Sequence, residues 1–192
     1  MVSKLTKRIL ISACFLLLLE SVSTAQSPIS AIAGWGSFPY SSGFMHMGHP
    51  VPPDHDKVTS PGSIFIGVDF VRKTWLTSTI MVDLGVVRLD RETWNRDAID
   101  HYKYTMLSIM HMWRFTYLTH QTWSLYSSAG IGLCLGFDES NGSESREALI
   151  PILQLTPIGV TFGRKFFILA ETGFGTNLVG FRLGLGYRFN TL

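Results

Sequence analysis

The 192-residue chain is 46% hydrophobic and 12% aromatic but only 16% charged, well below the roughly 25% charge of an ordinary soluble domain. That aromatic content excludes disorder, and the 18 glycines follow no triplet period, which excludes collagen. The formal charge of +2 belongs wholly to residues 1–25 (Lys4, Lys7 and Arg8 against Glu20); residues 26–192 hold 13 bases and 13 acids, so no basic excess supports nucleic-acid binding.

Met1–Arg8 is a basic stretch, Ile9–Leu19 an eleven-residue, mostly apolar run, and Ser23-Thr24-Ala25 puts small residues at positions −3 and −1 before Gln26. This pattern predicts a cleaved export signal over 1–25, leaving 26–192 as one mature domain. As a helix the apolar run spans only ~16 Å, too short for a ~30 Å hydrocarbon core. Ile11-Ser12-Ala13-Cys14 loosely resembles a lipobox, yet the apolar run continues past Cys14 to Leu19, which would set the cysteine mid-membrane. Cleavage leaves Cys134 alone, so no internal disulfide staples the fold. Cys134 lies in a Gly-rich alternating segment without an activating base nearby in sequence, and reads as a small packed side chain.

Past residue 25 the recurring pattern is alternation with a period of two, which puts each residue set on one face of a strand. Ile29–Phe38 is a short strand with poor alternation. In 63–71, Ile64, Ile66, Val68 and Phe70 oppose Gly67 and Asp69; in 77–88, Ile80, Val82, Leu84 and Val86 oppose Asp83 and Gly85. In Thr105–Leu118, Leu107, Ile109, Trp113, Phe115 and Tyr117 oppose Ser108, Arg114 and Thr116. In Trp123–Gly136, Leu125, Ala129, Ile131, Leu133 and Leu135 oppose Ser124, Ser128 and three glycines. Gln154–Phe162 is less clean, because Pro151 and Pro157 suit a bulge or a strand end. In Phe166–Gly175, Glu171 and Gly173 oppose Phe166, Ile168 and Ala170. The last strand, Val179–Phe189, sets apolar and aromatic residues against Gly180, Arg182, Gly184, Gly186 and Arg188.

A soluble antiparallel sandwich also alternates, but two further features favour a barrel turned inside out. The face opposite the large apolar residues repeatedly carries Gly or a charge, which suits a narrow, crowded interior. The links also alternate in length: long at Pro39–Gly62, Leu89–Tyr104 and Phe137–Leu149, short at Arg72–Trp75, Thr119–Gln121, Gly163–Lys165 and Thr176-Asn177. Three short links fall at one end, and the three long links with the short Thr176-Asn177 at the other; short turns opposite longer loops are the outer-membrane pattern, and an even strand number leaves no edge in lipid. The prediction is an all-β fold, an eight-stranded antiparallel up-and-down transmembrane β-barrel.

Three segments carry a family resemblance: Trp123-Ser124-Leu125-Tyr126-Ser127-Ser128-Ala129-Gly130-Ile131-Gly132-Leu133, Leu155-Thr156-Pro157-Ile158-Gly159-Val160, and Gly184-Leu185-Gly186-Tyr187-Arg188-Phe189. Over roughly residues 62–192 the chain resembles the small outer-membrane β-barrel proteins of Gram-negative bacteria. An alternating last strand ending in aromatic-x-Phe resembles the signal read by the barrel-insertion machinery, although Asn190-Thr191-Leu192 follow Phe189 here. The resemblance implies outer-membrane lipid and that machinery as partners, and it concerns the fold rather than a function.

Parity places Asp69, Asp83, Arg114, Glu171, Arg182 and Arg188 in the lumen, three acids against three bases. A self-neutralising network that plugs the lumen is expected, because isolated buried charges are costly; a proton or ion pathway is the sharper alternative. Open diffusion pores use ~16–18 strands. Trp75, Trp113, Tyr117 and Trp123 toward the short turns, and Tyr102, Tyr104, Phe137 and Phe174 toward the long loops, read as interfacial girdles. The first long loop holds His46, His49 and His55 with Met45, Met47, Asp54 and Asp56, weak candidates for a transition metal that match no fixed coordination spacing. Outer-membrane enzymes that act on lipid A or phospholipid need a His beside a Ser. His120 and Ser124 on one strand lie ~13 Å apart, and neither His101 nor His111 has an evident serine partner in sequence. No phosphate-binding loop or dinucleotide fingerprint occurs, and Asn141-Gly142-Ser143 reads as a turn. The expectation is a non-enzymatic scaffold without cofactor that presents residues 39–62, 89–104 and 137–149 to a surface partner. An enzyme or a narrow transporter is the alternative.

Overall fold

The structure, a computed structural model, describes residues 28–38, 56–92, 99–138, 147–177 and 179–189. Nine strands form in chain order: β1 Ile29–Phe38, β2 Asp56–Thr59, β3 Ser63–Lys73, β4 Leu76–Glu92, β5 Ile99–Thr119, β6 Trp123–Asp138, β7 Glu147–Gly163, β8 Phe166–Gly175 and β9 Val179–Arg188. All pairings are antiparallel. Eight long strands close a ring in the order β1, β3, β4, β5, β6, β7, β8, β9, with β9 returning to β1. The expected eight-stranded antiparallel barrel is therefore what forms, and Ile29–Phe38 supplies its first wall. The closing register pairs Ala31 with both Val68 and Tyr187, and the Phe189 amide donates to the Ile29 carbonyl.

Two differences concern the long links. β2 is a short extra strand inside residues 39–62, paired with β4 from Asp56↔Arg91 to Thr59↔Arg88. The β4–β5 ladder likewise runs on to Glu92↔Ile99, and β6 pairs β7 as far as Phe137↔Glu147. The links expected at 89–104 and 137–149 are thus partly strand. The reason is physical: beyond the hydrocarbon zone both faces of a hairpin meet water, so no apolar parity betrays the ladder in sequence. The two prolines fall where a ladder tolerates them. Pro157 sits where registers shift on both sides of β7, and its carbonyl accepts from Ser127 Oγ at 2.6 Å. Pro151 precedes Gln154, where pairing with β8 begins. At the β7–β8 turn Gly163 adopts φ +123°, a conformation that side-chain-bearing residues rarely take.

Polarity is reversed relative to a soluble barrel. Ile64, Ile66, Leu153, Leu155, Ile158 and Ile168 are all more than half exposed on the outer wall, with Leu185 at 67%. The buried set points inward, and it is richer than glycine and charge. Phe65, Met81, Met106, Met110, Met112, Phe167 and Leu169 pack inside the barrel beside the ionic groups. Glycine makes this possible, for a Cβ at Gly159 would enter the Tyr126 ring and one at Gly186 the Phe167 ring.

Candidate functional site

Five of the six charges placed in the lumen by parity come together there. Asp69 on β3, Asp83 on β4, Arg114 on β5, Glu171 on β8 and Arg182 on β9 are all buried. Arg114 Nη1 donates to Asp69 Oδ2 at 2.9 Å, and its Nη2 lies 3.9 Å from Glu171 Oε1. Arg182 Nη2 is 3.4 Å from Asp83 Oδ2, and Nη1 is 3.7 Å from Glu171 Oε2. Glu171 thus bridges the two guanidiniums, and the chain Asp69, Arg114, Glu171, Arg182, Asp83 crosses the lumen and links five strands. Adjacent positions on one strand could not do this; the ring closure brings β3, β4 and β5 opposite β8 and β9.

Neutral groups complete the cluster. Thr79 Oγ1 donates to Asp69 Oδ1 at 2.6 Å, and Tyr126 OH donates to Glu171 Oε1 at 2.8 Å. The Arg114 guanidinium also lies 4.5 Å from the Tyr126 ring centroid, and that of Arg182 lies 5.3 Å from Phe65. Above them, Ser108 Oγ donates to Asn177 Oδ1 at 3.0 Å, joining β5 to the β8–β9 turn. Tyr126 was missed in the sequence because it carries no formal charge; its parity with Ser124 and Ser128 was the available signal.

Arg188 stands apart. It lies at the short-turn end, where its guanidinium donates to the carbonyls of Gly163 (2.9 Å) and Arg164 and sits 4.4 Å from the Phe167 ring centroid. Inward parity holds for Arg188, but at the last strand position the side chain reaches the turn before it reaches the lumen acids. Tyr104 also departs from its expected place in an aromatic girdle: it shares parity with Met106 and Ser108 and is buried. Trp75, Tyr117 and Phe174 are exposed on the outer wall as girdle residues are. The side chain of Tyr102 and the metal candidates His46, His49 and His55 lie outside the described residues. Among the described residues, no group of three or more His, Cys, Asp or Glu is placed to hold a metal.

The histidines need one correction. His111 does have a serine partner: its Nε2 is 2.6 Å from Ser78 Oγ. The two are 33 residues apart in sequence, but Ser78 pairs with Trp113 and Ile80 with His111, so they are diagonal neighbours on the outer face of β4 and β5. Ser78 is only 4% exposed, and the Trp113 ring lies 4.5 Å from the imidazole. The pair satisfies two polar groups on an apolar wall, and the serine is closed to substrate. His120 instead stacks on Trp123 at 5.8 Å, and Ser124 Oγ is 2.5 Å from Thr161 Oγ1.

No family model and no curated protein matches this chain. Solved structures do resemble it in fold. Neisserial surface protein A is 14% identical over 84% of this chain and 96% of its own, with a TM-score of 0.48. Ail, the attachment invasion locus protein of Yersinia pestis, is 16% identical over 85% and 99%, with a TM-score of 0.46. The N-terminal β-barrel domain of Pseudomonas aeruginosa OprF is 14% identical over 84% and 97%, with a TM-score of 0.43.

Proposed function

We propose that the chain is exported by a cleaved signal over residues 1–25, and that residues 26–192 form a non-enzymatic outer-membrane barrel. In this reading the barrel is a lipid-embedded scaffold that presents residues 39–62, 89–104 and 137–149 outside the cell, where a surface partner would bind. The observation that carries the reading is the inverted polarity of the closed ring, with large apolar side chains outside and five linked charges inside. Such a wall is soluble only in hydrocarbon, and a closed sheet is one of the two backbone solutions that span it.

The lumen network acts as a plug. Its ionic chain and the methionine and aromatic side chains around it fill the interior, as eight strands leave room for little else. The closing β9 strand serves as the insertion signal. Heat-modifiability tests the reading: protein extracted with detergent migrates differently on a gel before and after boiling, because a closed barrel resists SDS until heated. Equal migration, with extraction by plain buffer, overturns it in favour of a soluble exported sandwich. Planar-bilayer recordings should show no stable conductance steps.

A further inference from the structure

Charge is segregated along the barrel axis. At the short-turn end lie Arg72, Lys73, Arg164, Lys165 and Arg188, and no Asp or Glu occurs in the β3–β4, β5–β6 or β7–β8 turns or beside them. Ten of the 13 acids of residues 26–192 instead fall in 54–56, 90–100 and 138–147, the long connections and the strand ends that enter them. Six bases lie in or beside these segments: Lys57, Arg88, Arg91, Arg96, Lys103 and Arg146. Residues 26–192 carry no net charge, yet among the described residues the charged side chains of this rim are all cationic. Two of its lysines are exposed and sit over interfacial rings: Lys73 Nζ lies 5.4 Å from the Trp75 centroid, and Lys165 Nζ 5.5 Å from that of Tyr187. Those rings prefer the headgroup level, so they hold the ammonium groups there.

Tyr187 is also one wall of a groove. On the outer surface of β1, Ala31 and Ala33 form a low floor between Ile66 and Val68 of β3 and Leu185 and Tyr187 of β9, leaving a concave space of about 670 Å³ that ends at Phe166. Its lining is apolar, so water finds no partners there.

We propose that this rim and groove form a binding site for an anionic phospholipid, with the phosphate at Lys165 and one acyl chain along Ala31 and Ala33. The proposal rests on the membrane reading above, since short turns face the periplasmic leaflet of an outer-membrane barrel, where phospholipid headgroups lie. Charge complementarity selects the headgroup, and the groove that ends under Lys165 selects a tailed ligand over free phosphate.

The test uses the folded mature protein, residues 26–192, in phosphatidylcholine vesicles, with spin-labelled phosphatidylglycerol or phosphatidylcholine as the probe. Phosphatidylglycerol should associate preferentially. Each cation near an anionic surface contributes about 1 kcal/mol, roughly fivefold, so Lys165→Gln should lose about fivefold of the preference and Lys165→Arg should keep it. Ala31→Leu/Ala33→Leu, which fills the groove, should weaken both probes alike. Equal association of both probes with wild type, unchanged preference in Lys165→Gln, competition by inorganic phosphate alone, or a second barrel occupying the groove in native mass spectra would each overturn the site. The gel shift on boiling, read on the same samples, separates this failure from failure of the barrel itself.

Discussion

Arg182→Met isolates the central strut of the lumen. Arg182 is 1% exposed, and it neutralises Asp83 at 3.4 Å and Glu171 at 3.7 Å while lying over the Phe65 ring. Methionine keeps most of the stem and fills similar space, so packing changes little and the loss is electrostatic. Glu171 retains the Tyr126 hydroxyl at 2.8 Å and Arg114 at 3.9 Å; Asp83 loses its guanidinium outright. Removing one partner of a buried pair costs about 3–5 kcal/mol, because the remaining charge is left uncompensated. These groups are almost unexposed, so solvent screening takes little from that figure. Urea unfolding in lipid vesicles, followed by tryptophan fluorescence, should show a loss of that size with an unchanged denaturant slope. Arg182→Met/Asp83→Asn should recover much of it, since the uncompensated charge is gone. A cost below about 1 kcal/mol, the value of an exposed pair, would refute the argument, as would a double variant no more stable than Arg182→Met alone.

Other substitutions probe the same interior. Tyr126→Phe leaves Glu171 without a hydroxyl donor and should cost about 1–3 kcal/mol in the same unfolding assay. Gly159→Ala drives a methyl into the Tyr126 ring and should cost about 1–3 kcal/mol by overpacking, with most of the loss relieved when combined with Tyr126→Ala. Cys134 is fully buried, so a maleimide should label the folded mature barrel only after boiling in SDS. Ser78 is hydrogen-bonded to His111 yet buried; a fluorophosphonate probe should leave it unlabelled, and labelling abolished by His111→Ala would reopen the enzyme reading.

Much of this architecture is a property of the chain read one strand at a time. In β9, alternating Phe181, Leu183 and Leu185 against Arg182, Gly184 and Gly186 already assigns an outer and an inner face, because a strand turns successive side chains to opposite sides. The same holds for Asp69, Asp83, Arg114 and Glu171, whose lumen placement needs only parity and a hydrocarbon-facing wall. Parity fails where the solvent is the same on both faces, which is why the strand ends at Leu89–Glu92 and Ile99–Lys103 read as loop. By residue type alone Tyr104 reads as a girdle aromatic, although its parity with Met106 points it inward.

Tertiary structure alone decided which charges meet. Glu171 lies 57 residues from Arg114 and 11 from Arg182 in sequence, and only the closed ring sets it between them across the lumen. Ser78 and His111 become neighbours because the β4–β5 register aligns them, and a register shifted by one would separate their faces. The groove on β1 likewise depends on closure, since Ala31 gains its two walls only when β9 returns to pair with the first strand. Alternation is a local consequence of backbone geometry, whereas adjacency across a barrel depends on strand order and register, which no single strand encodes.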